Sequence, residues 1–122
     1  MSKKYQRRVS DLIQTRLMIL LRRKVNDPRV ELVTITHVDI TPDALRADVY
    51  YSVLGGDEAQ ETAQEGLESA AGWLRKELGR SLRLRNTPEL VFHYDESLER
   101  AEHIAGIIDG LDLSEEDQEP EE

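Results

Sequence analysis

Basic residues are concentrated in two short stretches of the chain, and their side chains could bind phosphate. Between residues 1 and 29, nine lysines and arginines are opposed by only two aspartates, although the whole chain has a net charge of −9. Salt screens each charge over about 10 Å, so this local excess matters more for binding than the total does. The cations either contact nucleic-acid phosphates or form a solvated helix face. The candidates are Lys3, Lys4, Arg7, Arg8, Arg22, Arg23 and Lys24.

The second basic stretch runs from a predicted helix into the loop that follows it. Between Trp73 and Asn86 only Glu77 opposes the basic residues. Arginine binds phosphate with a planar fork and also stacks on bases, so this stretch is a second candidate RNA surface. A solvated face is the alternative, and Arg85 could instead hold the loop by bonding its carbonyls. The candidates are Arg75, Lys76, Arg80, Arg83 and Arg85.

Three further features have a structural and a functional interpretation. Arg29 could contact RNA, but a structural turn at Asp27-Pro28-Arg29 is favoured because Pro28 stops the preceding helix. Trp73 could stack on a base, although a partly buried packing role is favoured. Tyr50 and Tyr51 point to opposite faces of their strand, so at least one of them is expected in the core.

Signatures of catalysis and of metal binding are absent from the sequence. There is no cysteine, so disulfides and thiolate metal sites are excluded. His37, His93 and His103 lack the spacing of metal ligands. No phosphate-binding glycine loop or dinucleotide fingerprint occurs. We therefore expect a protein that is not an enzyme and that uses no cofactor, metal or small-molecule substrate.

The first half of the chain predicts a helix followed by a hairpin. Apolar residues at helical spacing predict a helix over residues 4–24, ending before Pro28. Residues 32–40 predict a strand whose inward phase changes midway, which indicates a bulge or a strand buried on both faces. A turn at residues 41–43 precedes a half-buried strand with Ala47, Val49, Tyr51 and Val53 on one face.

The second half predicts two helices, a strand and a last helix. Gly55 and Gly56 break the strand, and Asp57 is the predicted N-cap. Helical stretches then flank Ala70, Ala71 and Gly72, small residues that permit a kink. Residues 90–94 predict a third strand, and residues 95–113 contain a final helix with Leu98, Ala101, Ile104, Ala105, Ile108 and Leu111 on one face.

The order α-β-β-α-α-β-α predicts an α+β fold in which helices cover one face of a three-stranded sheet. Residues 1–113 are predicted to form a single domain, and residues 114–122 a disordered tail. The longest apolar run is far shorter than the roughly 20 residues that span a bilayer. We therefore expect a cytoplasmic protein without a membrane partner.

The C-terminus is strongly acidic, with eight acids and no base over residues 109–122. Two interpretations remain open. The tail is either a solubilising segment or one that folds back over the basic surface and weakens nonspecific RNA binding.

Collinear motifs give the chain a family resemblance. These are Asp27-Pro28-Arg29 after a basic amphipathic helix, Thr34-Ile35-Thr36, and the longer runs at residues 49–55 and 82–97. Over about residues 4–108 the sequence resembles the ribosome-binding factor A (RbfA) family. The resemblance implies a type II KH-like fold without the usual Gly-x-x-Gly loop. It also implies an Ala-x-Gly helix kink, which residues 70–72 match.

The resemblance further implies what the protein does. It implies binding to the immature small (30S) ribosomal subunit and its 16S rRNA, late in maturation and in support of growth in the cold. The protein is expected to be monomeric when free. A generic RNA-binding module and a protein–protein adaptor are the alternatives, and a weak salt dependence of binding would favour the adaptor.

Overall fold

The structure is a computed structural model that describes residues 2–97. Its elements are α1 (Lys3–Arg23), a short 3₁₀ helix (Pro28–Val30), β1 (Val33–Ile40), β2 (Arg46–Val53), α2 (Asp57–Leu82) and β3 (Glu89–Tyr94). The predicted final helix lies outside the described residues beyond Ser97, as does the acidic tail. Among the residues described, no helix is both long and apolar enough to cross a bilayer.

Helix α1 begins and ends where its sequence predicts. The Ser2 hydroxyl oxygen accepts a hydrogen bond from the Tyr5 amide at 3.1 Å, which caps the first turn. Arg22 and Arg23 occupy the last turn, where cations favour the helix dipole. The face buried against the sheet consists of Val9, Ile13, Leu17, Leu20 and Leu21. Tyr5 and Leu12 share the apolar spacing but are about half exposed.

The sheet has the order β1-β2-β3, with β1 antiparallel to β2 and β2 parallel to β3. The register of β1 shifts between Ile35 and His37. This bulge confirms the expected irregularity, because it lets Ile35 and Val38 both point into the core although they are three residues apart. The same shift turns His37 to the outer face.

The turn between β1 and β2 is held by its own polar side chains. One carboxylate oxygen of Asp43 accepts hydrogen bonds from the Thr41 hydroxyl at 2.7 Å and from the Leu45 amide at 3.1 Å. These bonds, that of Thr41 above all, lower the pKa of Asp43. Ala44 takes a left-handed conformation with φ of +62°. The predicted turn at residues 41–43 is thereby confirmed.

The core lies on one side of the sheet, under the two helices. Ala47, Val49 and Tyr51 of the central strand are fully buried, and α1 and α2 both pack on this face. Tyr51 is the predicted core tyrosine. Its hydroxyl donates to Oε1 of Gln64 at 2.6 Å, and burial raises the pKa of the phenol. The expected α+β layer, with helices on one face of three strands, is confirmed.

Helix α2 differs from the sequence prediction in two ways. It is one helix that passes through Ala70, Ala71 and Gly72, so the predicted division into two helices is wrong. The residues buried on either side, Leu67 and Leu74, face the same core, and that packing offsets the roughly 1 kcal/mol that a helical glycine costs. A change of helix direction there stays a prediction.

The N-cap of α2 is Gly56, without a side-chain hydrogen bond. The prediction that Asp57 caps this helix is therefore wrong. Asp57 is instead the first helical residue, where its charge favours the positive end of the dipole. Glycine is accepted at N-caps, and the positive φ of +119° with which the chain leaves β2 is taken by the preceding Gly55.

Candidate nucleic-acid interface

All twelve predicted phosphate contacts are exposed to solvent. The structure does not gather them into one patch. Helix α1 rises 1.5 Å per residue, so Lys4 and Arg22 stand about 27 Å apart. The N-terminal set is therefore two groups at opposite ends of a rigid helix: Lys3, Lys4, Arg7 and Arg8 at one end, and Arg22, Arg23 and Lys24 at the other.

The N-terminal end of α1 meets the second basic stretch. Tyr5 of α1, residues 42–44 of the β1–β2 turn and Arg85 of the loop before β3 all line one groove. Asn86 lines this groove and also a neighbouring hollow formed with Gly72, Arg75 and Lys76. The start of α1, the loop of residues 83–88 and the middle of α2 thus form one continuous surface, which we call the cationic surface.

Arg75 ties α2 to the loop before β3. Its Nε and Nη2 donate to the carbonyl oxygen of Thr87 at 3.2 and 3.0 Å. Sequence analysis suggested that Arg85 could hold this loop by bonding its carbonyl groups, but Arg85 forms no hydrogen bond within residues 2–97. Arg75 therefore positions the loop, and its remaining donors still face solvent.

The other cations of this stretch are available for a ligand. Arg80 makes a long ion pair with Glu77, at 3.9 Å, and such an exposed pair is worth little. The side chains of Lys76, Arg83 and Arg85 form no hydrogen bond or ion pair within the described residues. Arg83 is also the C-cap of α2 and is left-handed, with φ of +53°, where glycine would be less strained.

The residues expected to form a kink occupy the middle of this surface. Ala70 and Ala71 are half-buried and pack against the core. Gly72 is exposed, and a Cβ there would meet no atom within 4 Å. Trp73, beside it, exposes 40% of its surface. Packing does not require glycine at residue 72, whereas a ligand could approach the backbone there closely.

Asp27 and Arg29 have the structural role that the sequence favoured. The Asp27 carboxylate accepts hydrogen bonds from the backbone amide, Nε and Nη2 of Arg29, the last at 2.8 Å. The side-chain bond lowers the pKa of Asp27 and raises that of Arg29. The Arg29 stem lies against Gly66 of α2, so the pair fixes the 3₁₀ helix on α2.

The outer face of the sheet carries a second polar cluster. His37, Tyr50 and His93 lie directly opposite one another on three strands, and their ring centroids are 6.0 and 5.1 Å apart. Their neighbours are acidic: Asp39 lies 3.0 Å from His37, and Asp48 lies 2.8 Å from His93. Carboxylates make this face a poor surface for phosphates.

Asp48 is the more enclosed of the two acids. Burial acts to raise its pKa, but hydrogen bonds from His93 and Arg46 outweigh burial and hold the pKa below its ordinary value. Asp48 therefore stays ionised in this cluster. Among the described residues, no group of three His, Asp or Glu could hold a metal ion.

Two groove residues were missed in the sequence. The spacing of Tyr5 matches the buried face of α1, yet 52% of its surface is exposed. Asn86 was treated only as the end of a basic stretch. Tyr5 lies in the first turn of α1, at the end of the face that the sheet covers. The spacing of apolar residues does not show where that cover ends, so it predicts burial poorly at the ends of a helix.

The fold and site define a small α+β protein with a cationic surface at one end of its sheet. A family model described as ribosome-binding factor A matches residues 5–108. The ribosome-binding factor A of Pseudomonas syringae pv. syringae is 47% identical over 113 residues, which covers 89% of this chain and 82% of that protein. The chain belongs to the ribosome-binding factor A family.

Structures of ribosome-binding factor A share this fold. The crystal structure of ribosome-binding factor A from Thermus thermophilus matches with a TM-score of 0.67 at 24% identity, over 75% of this chain and 97% of that one. This likeness supports the fold. A homology model of the Thermus thermophilus factor, fitted into a cryo-EM map of a 30S complex of that factor, matches with a TM-score of 0.53 at 26% identity, over 70% of this chain and 93% of that one.

Proposed function

We propose that this protein binds the immature small (30S) ribosomal subunit through its 16S rRNA and supports late maturation and rRNA processing, including in the cold. Family membership supports the proposal, as does the 30S complex of the Thermus thermophilus relative. The observation that carries it is the cationic surface, on which Lys76, Arg83 and Arg85 have no partner within residues 2–97.

Binding in this proposal is electrostatic. Unpaired cations exchange solvent for phosphate without breaking an internal ion pair, and the counterions released from the RNA favour association. The two ends of α1 lie about 27 Å apart. They therefore contact separate stretches of backbone, and the rigid spacing between them selects a folded rRNA shape rather than a base sequence.

The proposal also covers the mode of action, the location and the domain organisation. The protein acts by binding, without catalysis or cofactor, in the cytoplasm and as a monomer when free. Residues 1–113 act as one domain of the KH-like type. Residues 114–122 are an acidic tail that keeps the protein soluble.

Co-sedimentation with immature subunits, mature subunits and naked 16S rRNA, across a salt series, tests the proposal. We expect a preference for immature subunits and a steep loss of binding with salt. Replacing Arg80 and Arg83 together by Glu should abolish most of the binding while the domain stays folded. Equal binding to all three targets would reduce the protein to a generic RNA-binding module.

A matched pair of neutral variants tells a local contact from a general charge effect. Arg83→Gln and Arg46→Gln each remove one positive charge, but Arg46 lies on the outer sheet face and pairs with Asp48 at 3.2 Å. Arg83→Gln should reduce the salt slope by about one, and Arg46→Gln should leave it unchanged. Equal effects of both would contradict the assignment of the cationic surface.

One observation favours the adaptor alternative. Leu32 and Leu54 are 61% and 78% exposed and line the same hollow at the far end of the sheet. Exposed apolar side chains grouped in this way suit a protein partner. Binding to subunits that survives high salt, and that Leu54→Ser weakens, would favour the adaptor over the RNA contact.

A further inference from the structure

A groove lies where the N-terminal end of α1, the β1–β2 turn and the loop before β3 meet. It has a volume of about 700 Å³, within the range of small-ligand sites. Its apolar lining includes the buried Val9 and Ile40, the partly buried Ala44 and Leu84, and the exposed Tyr5. The groove is therefore apolar inside, and an exposed aromatic ring borders it.

The rim of the groove offers polar groups that nothing in residues 2–97 uses. The Tyr5 hydroxyl, the Arg85 guanidinium and the Asn86 carboxamide form no hydrogen bond there. Asp43, the acid at the rim, is already engaged by the Thr41 hydroxyl and the Leu45 amide. The rim thus presents a cation and an amide that both donates and accepts, above an apolar floor.

The groove opens onto the cationic surface. Asn86 is shared with the hollow that holds Arg75 and Lys76. A third hollow shares Ile40 and Pro42 with the groove, and it is lined by Lys3 and Arg7 together with Asp11 and Asp39. An RNA backbone held by Arg75 and Lys76 would therefore pass the mouth of the groove, where Lys3 and Arg7 add positive charge.

We propose that the groove receives one unpaired base of the bound RNA. The base stacks on the Tyr5 ring, Asn86 bonds its edge, and Arg85 contacts an adjoining phosphate. An apolar floor, one aromatic wall and an amide match the chemistry of a base, which has a flat π-face and a polar edge. This assignment rests on the proposed RNA binding and adds to it the structural element that is recognised.

Two RNA hairpins with the same stem test the assignment, one fully paired and one with a single bulged 2-aminopurine. Binding is measured across a salt series, together with the fluorescence of the probe. We expect the bulged hairpin to bind about tenfold tighter and its fluorescence to fall as the base stacks. Equal affinities with unchanged fluorescence would overturn the assignment.

Variants separate stacking from charge. Tyr5→Leu should lose the preference for the bulged hairpin, while the salt slope of binding stays unchanged. Tyr5→Phe should keep the preference. Asn86→Ala should weaken binding of the bulged hairpin alone. Arg83→Gln should weaken both hairpins alike and lower the slope. Circular dichroism checks that each variant is folded.

Each contrary result has its own meaning. If Tyr5→Leu lowers binding to subunits but leaves bulged RNA unaffected, a protein occupies the groove and the assignment is wrong. If the wild-type protein binds neither hairpin nor 16S rRNA, the proposed function itself fails. If Tyr5→Leu lowers the affinity for both hairpins equally, the assignment of base insertion is wrong, whereas the proposal of RNA binding stands.

Discussion

Arg75 holds the backbone of Thr87 with two hydrogen bonds from one guanidinium, so α2 and the loop before β3 are joined at the centre of the cationic surface. Arg75→Lys keeps the charge and loses the fork. We expect a loss of up to about 1 kcal/mol in unfolding free energy, measured in urea. RNA affinity should also fall, because the loop is held less firmly.

The neighbouring Lys76 provides the control for Arg75. Lys76→Gln removes a charge that has no partner within residues 2–97. It should lower the salt slope of RNA binding by about one and leave stability unchanged. If Arg75→Lys leaves the unfolding free energy unchanged, as Lys76→Gln should, the bond to Thr87 does not position the loop.

Gly66 and Gly72 should respond oppositely to alanine. A Cβ at residue 66 would lie 2.8 Å from both the Arg29 Cβ and the Val30 Cγ1, so Gly66→Ala should cost about 1–3 kcal/mol. A Cβ at residue 72 meets nothing within 4 Å, so Gly72→Ala should gain up to about 1 kcal/mol. Thermal unfolding measures both. A stabilised Gly72→Ala variant that binds RNA poorly would show that glycine is kept there for the ligand.

Arg83 occupies a left-handed position that favours glycine. Arg83→Gly should raise the unfolding free energy by about 1 kcal/mol, because glycine has no Cβ to strain there. The same change should weaken RNA binding. A variant that is more stable and binds equally well would mean that the Arg83 side chain does not contact RNA.

Asp27 should make stability depend on pH. Hydrogen bonds from Arg29 lower its pKa in the folded state below the ordinary 3.8. The stabilisation is therefore complete above about pH 4 and is lost as pH falls through the lower folded value. Asp27→Asn should be less stable than wild type at pH 7, and the difference should vanish in strong acid. Asp11→Asn, at an exposed acid without a bond in the described chain, is the control in urea titrations.

Features set by neighbouring residues could be predicted from the sequence. The alternation of Ala47, Val49, Tyr51 and Val53 predicted the face of β2 that packs on the core, although Val53 is only partly buried. The phase change in β1 indicated either a bulge or a strand buried on both faces, and the structure has the bulge. Both are local consequences of which side chains must be covered. The order of α1 and the three strands followed in the same way, because each of these elements has its own periodicity.

Features that depend on contacts between residues far apart in the sequence were harder to predict. Ala63, Leu67, Leu74 and Leu78 keep one helical phase through residues 70–72, a signal for a single helix that the small residues obscured. The choice between Arg75 and Arg85 as the loop anchor depends on where Thr87 lies. Exposure of Tyr5 depends on where the sheet ends beneath α1.

The parallel pairing of β2 with β3 has a consequence for the order of folding. The β1–β2 hairpin closes through a short turn, whereas β3 pairs only after the whole of α2 has been spanned, and such long loops close at a larger entropic cost. We therefore expect β3 and the loop carrying Arg85, which is part of the cationic surface, to become ordered after the hairpin. Pulsed hydrogen exchange during refolding, with late protection of β3 amides, would measure this sequence of events.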